Sequence, residues 1–153
     1  MEGDIMSKIL GDQLNREMAD LLNAEAVNAV LATNSPDGYP HTTPLYLIKA
    51  KSPGVMRICL AKAHQAAENL NKDGRLMISV MFENDVAYSI KGKAAMWRET
   101  MNGNKYMCAY EVAVEEIKSD TTPTVMVASG VKTKYRSEKT EQFFKAMFAE
   151  IAE

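Results

Sequence analysis

The residues best suited to chemistry gather in one short stretch, Leu60-Ala61-Lys62-Ala63-His64-Gln65, with Asn69 just beyond it. An apolar, strand-like run ends there and a run with helical spacing begins. The first amides of a helix have no partner inside it, and its dipole favours negative charge at that end. Lys62, and His64 when protonated, would add positive charge, so the junction is a candidate seat for a phosphate or another anion. Every helix has such an end, however. On the residues alone, Lys62 and His64 read more simply as solvated side chains between a strand and a helix.

Most other chemistry is excluded. The chain contains no G-x-G-x-x-G, no phosphate loop ending in Gly-Lys-Ser/Thr, and no G-x-S-x-G elbow. His41, His64, Cys59 and Cys108 lack the close spacing of a structural zinc site, so no metal is expected. Each cysteine lies in an apolar run and reads as a reduced core residue, which implies a reducing compartment. A net charge of -2 gives no field to draw nucleic acid or an acidic membrane. Asp4, Lys8, Asp12, Arg16 and Glu17 interrupt the early apolar pattern, so no signal-peptide core is expected, and no apolar stretch is long enough to span a bilayer. The expected location is the cytoplasm.

The elements that must position the junction follow from periodicity. Ile5, Ile9, Leu10, Leu14, Met18, Leu21 and Leu22 predict an amphipathic helix over residues 4–23. Strands are expected over residues 27–33, 41–50, 55–60, 76–82, 86–97, 106–117 and 124–128. Pro36-Asp37-Gly38 and Asn102-Gly103 are hairpin signals. Ala63, Ala66, Ala67 and Leu70 make the narrow stripe of a short inserted helix, ended by Asp73-Gly74. Ser137 is a candidate N-cap for a last helix over residues 137–152, with Phe143, Phe144, Met147, Phe148 and Ile151 on one face. Tight turns between strands favour antiparallel pairing, and closure into a barrel would remove exposed edges. The expected fold is mainly β: a single domain over 1–153, built as a barrel of six to seven mostly antiparallel strands (residues 27–129) with flanking helices and one inserted helix.

Asp37-Gly-Tyr-Pro-His-Thr-Thr-Pro44, followed by His64-Gln-Ala-Ala-Glu-Asn-Leu70 and then Ser89-Ile-Lys-Gly-Lys-Ala94, resembles the pyridoxamine 5'-phosphate oxidase-like superfamily of FMN-binding split barrels. The order and spacing of these motifs carry the resemblance, over about residues 27–97. It implies FMN as cofactor, with the ring in a slot lined by Thr42, Thr43, Pro44, Leu45 and Tyr46. The turn from Lys62 to His64, within the cofactor-binding stretch from Leu60 to Gln65, would hold the phosphate, and Asn69 would fix the loop. It further implies a homodimer with the slots at the subunit boundary. One position departs from the family pattern: Ala66 stands where members carry the lysine that contacts the phosphate. The basic substrate-binding residues and C-terminal segment of a vitamin B6 oxidase proper find no counterpart. The expected activity is therefore a flavin-dependent oxidoreductase or electron carrier acting on a small molecule. A split barrel holding haem or deazaflavin, or a cofactor-less binding module, is the alternative.

Overall fold

Apolar residues at every second position build most of the protein. The computed structural model describes residues 8–24 and 27–153. Its elements are β1 (Lys8–Gly11), α1 (Arg16–Asn23), β2 (Ala29–Asn34), β3 (Pro40–Leu45), β4 (Ile48–Ser52), β5 (Val55–Ala61), α2 (Gln65–Lys72), β6 (Arg75–Phe82), β7 (Val86–Arg98), β8 (Met107–Ser119) and α3 (Glu138–Ile151).

The eight strands form one antiparallel sheet in the order β3-β2-β6-β7-β8-β5-β4, with β1 alongside β8. The two outer strands, β3 and β4, are consecutive in the chain and separated only by Tyr46 and Leu47. So short a link reaches about 10 Å at most, which forces the sheet to curl until its edges approach each other. The sheet is not hydrogen-bonded shut, and the architecture is that of a split barrel. Leu31, Ile48, Ile58, Ile78, Ile90, Val112 and Ile117 fill the inside of the curl, all fully buried. Each such side chain contributes roughly 1.5–3 kcal/mol relative to exposure.

Three expectations change. The N-terminal helix is shorter than its spacing suggests. Residues 8–11 pair instead with the half of β8 that β5 leaves uncovered, and the helix starts only after Asn15, whose side chain accepts from the Met18 amide. Residues 4–7 lie outside the described residues. The strand expected over 41–50 breaks at Tyr46-Leu47, because its two halves pair with strands at opposite edges of the sheet. No strand forms over 124–128. Asp85, at a positive φ of 58°, takes up the Val127 backbone in both directions, so the segment from 120 to 137 crosses the sheet as an irregular strap.

Two of the three glycine signals at helix and hairpin ends also act differently from expectation. Gly74 does not reverse the chain after α2. It lies against β7, where an added Cβ would stand 2.4 Å from the Ala94 carbonyl oxygen. Only a residue without a side chain can approach a backbone that closely. The Asn102-Gly103 signal falls in a longer connection between β7 and β8, where both amides donate to Glu150. Gly38 behaves as its sequence predicts, with φ of 86° after a turn closed by its amide on the Ser35 carbonyl.

Candidate functional site

The crossing from β3 to β4 delivers Thr43, Pro44, Leu45, Tyr46 and Leu47 to one cavity of about 380 Å³. The end of β5 adds Cys59, Leu60 and Ala61, the start of α2 adds His64, β8 adds Met107, and α3 adds Phe143 and Phe144. A pleated strand shows alternate residues to one face, so Thr43 faces the cavity and its neighbour Thr42 faces out. The break at Tyr46-Leu47 suspends that alternation. Consecutive residues then line the same wall.

His64 organises the inner end. Its Nδ1 accepts from the Ala66 amide at 3.0 Å, which puts the proton on Nε2, 3.3 Å from Thr43 Oγ1. The imidazole is thus the N-cap of α2 in its neutral form, and a second proton at Nδ1 would forfeit the cap. The Ala67 and Glu68 amides donate to the His64 carbonyl at 3.0 and 3.2 Å. The first turn of α2 has therefore used most of its donors internally. His41 packs edge-on to His64 with ring centres 6.0 Å apart, and its buried Nδ1 has no hydrogen-bond partner among the described residues.

The remaining sequence candidates are placed outside the cavity wall. Lys62 donates its amide to Tyr106 O at 2.9 Å and its Nζ to Thr100 Oγ1, toward the β7–β8 connection. Ala63 and Gln65 do not line the cavity. Gln65 Nε2 donates to Asn69 Oδ1 at 2.8 Å, and buried Asn69 donates to Thr33 Oγ1 at 3.0 Å and Ser35 Oγ at 3.2 Å. Asn69 is a brace between α2 and β2. No lysine or arginine lines the cavity.

Leu47, Cys59, Met107, Phe143 and Phe144 belong to the wall although no motif marks them. Phe143 and Phe144 carried the one available signal, adjacent large aromatics on a helix whose apolar face is wider than one stripe. Burial, reinforced by Cys108 and Glu150, pushes the Cys59 thiol up to about 12. It stays protonated and is no nucleophile at neutral pH. The cavity therefore has apolar walls, a neutral imidazole–hydroxyl pair and an orphaned imidazole nitrogen nearby. That donor set suits a flat, polar-edged ring better than acid–base or nucleophilic catalysis by the protein.

A match to the family described as pyridoxamine 5'-phosphate oxidase spans residues 14–135. The chain belongs to that family. The family match ends before α3, so Phe143 and Phe144 reach the cavity from outside it. Among similar solved structures is a candidate pyridoxamine 5'-phosphate oxidase from Lactobacillus delbrueckii, with 17% identity and a TM-score of 0.62 over 72% of this chain and 98% of that one. An F420 reductase is similar at 15% identity and a TM-score of 0.55, over 68% and 98% of the two chains. An FMN-binding protein from Syntrophomonas wolfei has 10% identity and a TM-score of 0.54, over 65% and 80%. At these identities the likeness is one of fold. A search of curated proteins finds no match. Among the described residues, no helix is long and apolar enough to cross a membrane.

Proposed function

We propose that the protein binds FMN with its ring in the 380 Å³ cavity and serves as a flavin-dependent oxidoreductase or electron carrier for a small molecule. The observation that carries this reading is the cavity wall itself: consecutive residues of the β3–β4 crossing facing the His64–Thr43 pair across apolar sides. Bound flavin supplies hydride or single-electron transfer, and the protein supplies the slot. Leu45, Leu47, Leu60 and Met107 exclude water from it, with Phe143 and Phe144 as the α3 wall. His64 Nε2–H and the Thr43 hydroxyl offer polar contacts at one edge, and His41 Nδ1 offers an unspent acceptor or donor beside them. Family membership and the likeness to an FMN-binding protein support the choice of flavin. FMN is preferred to FAD because the chain carries no dinucleotide motif.

The working form is a homodimer in the cytoplasm. Val30, Met81, Val125, Met126 and Val131 expose apolar side chains that a closed two-fold pair could cover. Two buried free cysteines accord with a reducing compartment. A deazaflavin in the same cavity is the second reading, supported by the likeness to an F420 reductase. Purified protein titrated with FMN decides between them. A flavin spectrum, with FMN released by acid, is expected. Release of FAD would refute the cofactor assignment, and colourless protein that ignores added FMN would leave the deazaflavin reading or a cofactor-less binding module. Light scattering that shows a monomer with undiminished FMN affinity would refute the dimer.

A further inference from the structure

We propose that Lys134 and Arg136 are the anion-binding end of the ligand site, holding the negative group of an aromatic ligand whose ring lies in or beside the slot. The inference rests on the slot reading above for where the ring lies, and on a second cavity for where the charge goes. That cavity, of about 960 Å³, is lined by Lys134 and Arg136 and by Tyr46, Phe144 and Phe148. Tyr46 and Phe144 line both cavities, so the two adjoin at that aromatic pair, whose ring centres are 6.3 Å apart. The slot and the cleft therefore share one aromatic wall.

Charge decides which end takes the anion. At the α2 end the Ala66, Ala67 and Glu68 amides are occupied, Lys62 Nζ is on Thr100, and no lysine or arginine faces the slot. In the cleft the charged lining residues among the described residues are two cations, with no carboxylate among them. Neither Lys134 nor Arg136 makes an ion pair among the described residues. Of the acids in the first turn of α3, Glu141 is taken by Lys145 at 3.5 Å. The segment carrying the cations is held in place, because Asn28 donates to Val131 O at 2.7 Å and accepts from Thr133 Oγ1 at 2.9 Å. A cation pair beside aromatic walls, in a cavity of ordinary ligand size, selects a flat anion: carboxylate, sulfonate or phosphate on an aromatic body.

The anion is either the cofactor's own phosphate or a group on a second molecule, and one set of titrations separates them. The double variant Lys134→Ala/Arg136→Ala and wild type are titrated with FMN and riboflavin, and the FMN-loaded proteins with 8-anilino-1-naphthalenesulfonate and neutral N-phenyl-1-naphthylamine. Loss of FMN affinity by about tenfold or more, with riboflavin unchanged, assigns the cations to the cofactor phosphate. A similar loss for the sulfonate alone, on FMN-loaded protein, assigns them to a separate anionic substrate. Lys134→Arg/Arg136→Lys should retain whichever preference is found. Unchanged affinity for both anions, or equal loss for each charged and neutral pair, overturns the proposal. A phosphate preference that vanishes in Lys62→Ala but survives in the double variant also overturns it. If wild type takes no flavin, the slot reading fails, while the two naphthalene dyes on unloaded protein still decide the cleft.

Discussion

Two helices contribute to the slot, and each is tied to the sheet by a buried polar side chain of a different electrical kind. On α2 the tie is Asn69, 0% exposed and neutral, bonded to Thr33, Ser35 and Gln65. On α3 it is Glu150, 7% exposed, which accepts from Arg98 at 2.8 Å and from the Asn102 and Gly103 amides at 2.7 and 2.8 Å. Arg98 in turn stacks on Trp97, with Arg57 against the same ring at 3.8 Å and donating to Ile151 O. The lone tryptophan is thus part of the clamp on α3. A neutral network works equally at any pH, whereas a carboxylate network depends on its proton. The Asn69 tie should therefore be indifferent to acid, and the Glu150 tie sensitive to it.

The largest expected effect is Glu150→Ala. It leaves two amides without an acceptor and Arg98 with only Glu153 as carboxylate partner, at 3.0 Å, at a cost of about 3 kcal/mol in chemical denaturation at pH 7. A loss below about 1 kcal/mol would show that water replaces the carboxylate. The pH dependence follows with a definite sign. Burial would push the Glu150 carboxyl up, but the hydrogen bonds from Arg98, Asn102 and Gly103 together hold it below its ordinary value of 4.5. A depressed value contributes stability that is complete above about 4.5 and disappears as pH falls through the folded value. The gap between wild type and Glu150→Gln should accordingly narrow below pH 4.5 in thermal melts. A constant gap would mean that the charge is irrelevant.

Asn69→Ala comes next, at about 2 kcal/mol for leaving Thr33 and Gln65 without their partner. Its deficit should stay level from neutral to acid pH, and a deficit that varies as Glu150's does would erase the contrast. His64→Ala removes the α2 cap and should cost about 1 kcal/mol, most of it regained in His64→Ser. Failure of serine to recover stability would mean that the Thr43 contact, not the cap, is what matters. The smallest effect belongs to Gly103→Ala, expected below about 1 kcal/mol. The new Cβ meets the flexible end of Met147, 2.9 Å away, which can move aside. A large loss there would mean that the α3 clamp is rigid down to its methionine.

Much of this architecture is legible in the order of residues along the chain. The strands β5, β6, β7 and β8, both later helices and the Ser137 cap appear close to where periodicity and capping chemistry place them, because each is decided by residues within a few positions of one another. The misread elements are those whose partner is distant. Residues 8–11 can read as helix or strand until the free half of β8 is known to lie beside them. Residues 124–128 have strand-forming composition, but they meet a turn at Asp85 in place of a strand edge. The site shows the same division. Thr43 and His64 sit in motifs with a local pattern, and Leu45, Tyr46 and Leu60 lie just beside them, while Phe143, Phe144 and Met107 reach the cavity only through the packing of α3 and β8.

By itself, then, the sequence determined the antiparallel β character, the inserted helix and the family, since these rest on alternation, turn residues and motif order along the chain. Which way the sheet curls onto itself, that the strand over 41–50 must break at Tyr46, and that Lys62 turns toward Thr100 were decided by tertiary structure. Curling depends on which strands become edges, and edges are defined by pairings between residues far apart in sequence. The direction of a lysine at a strand end depends on which acceptor the next connection brings near. Neither quantity is encoded within the reach of a local pattern.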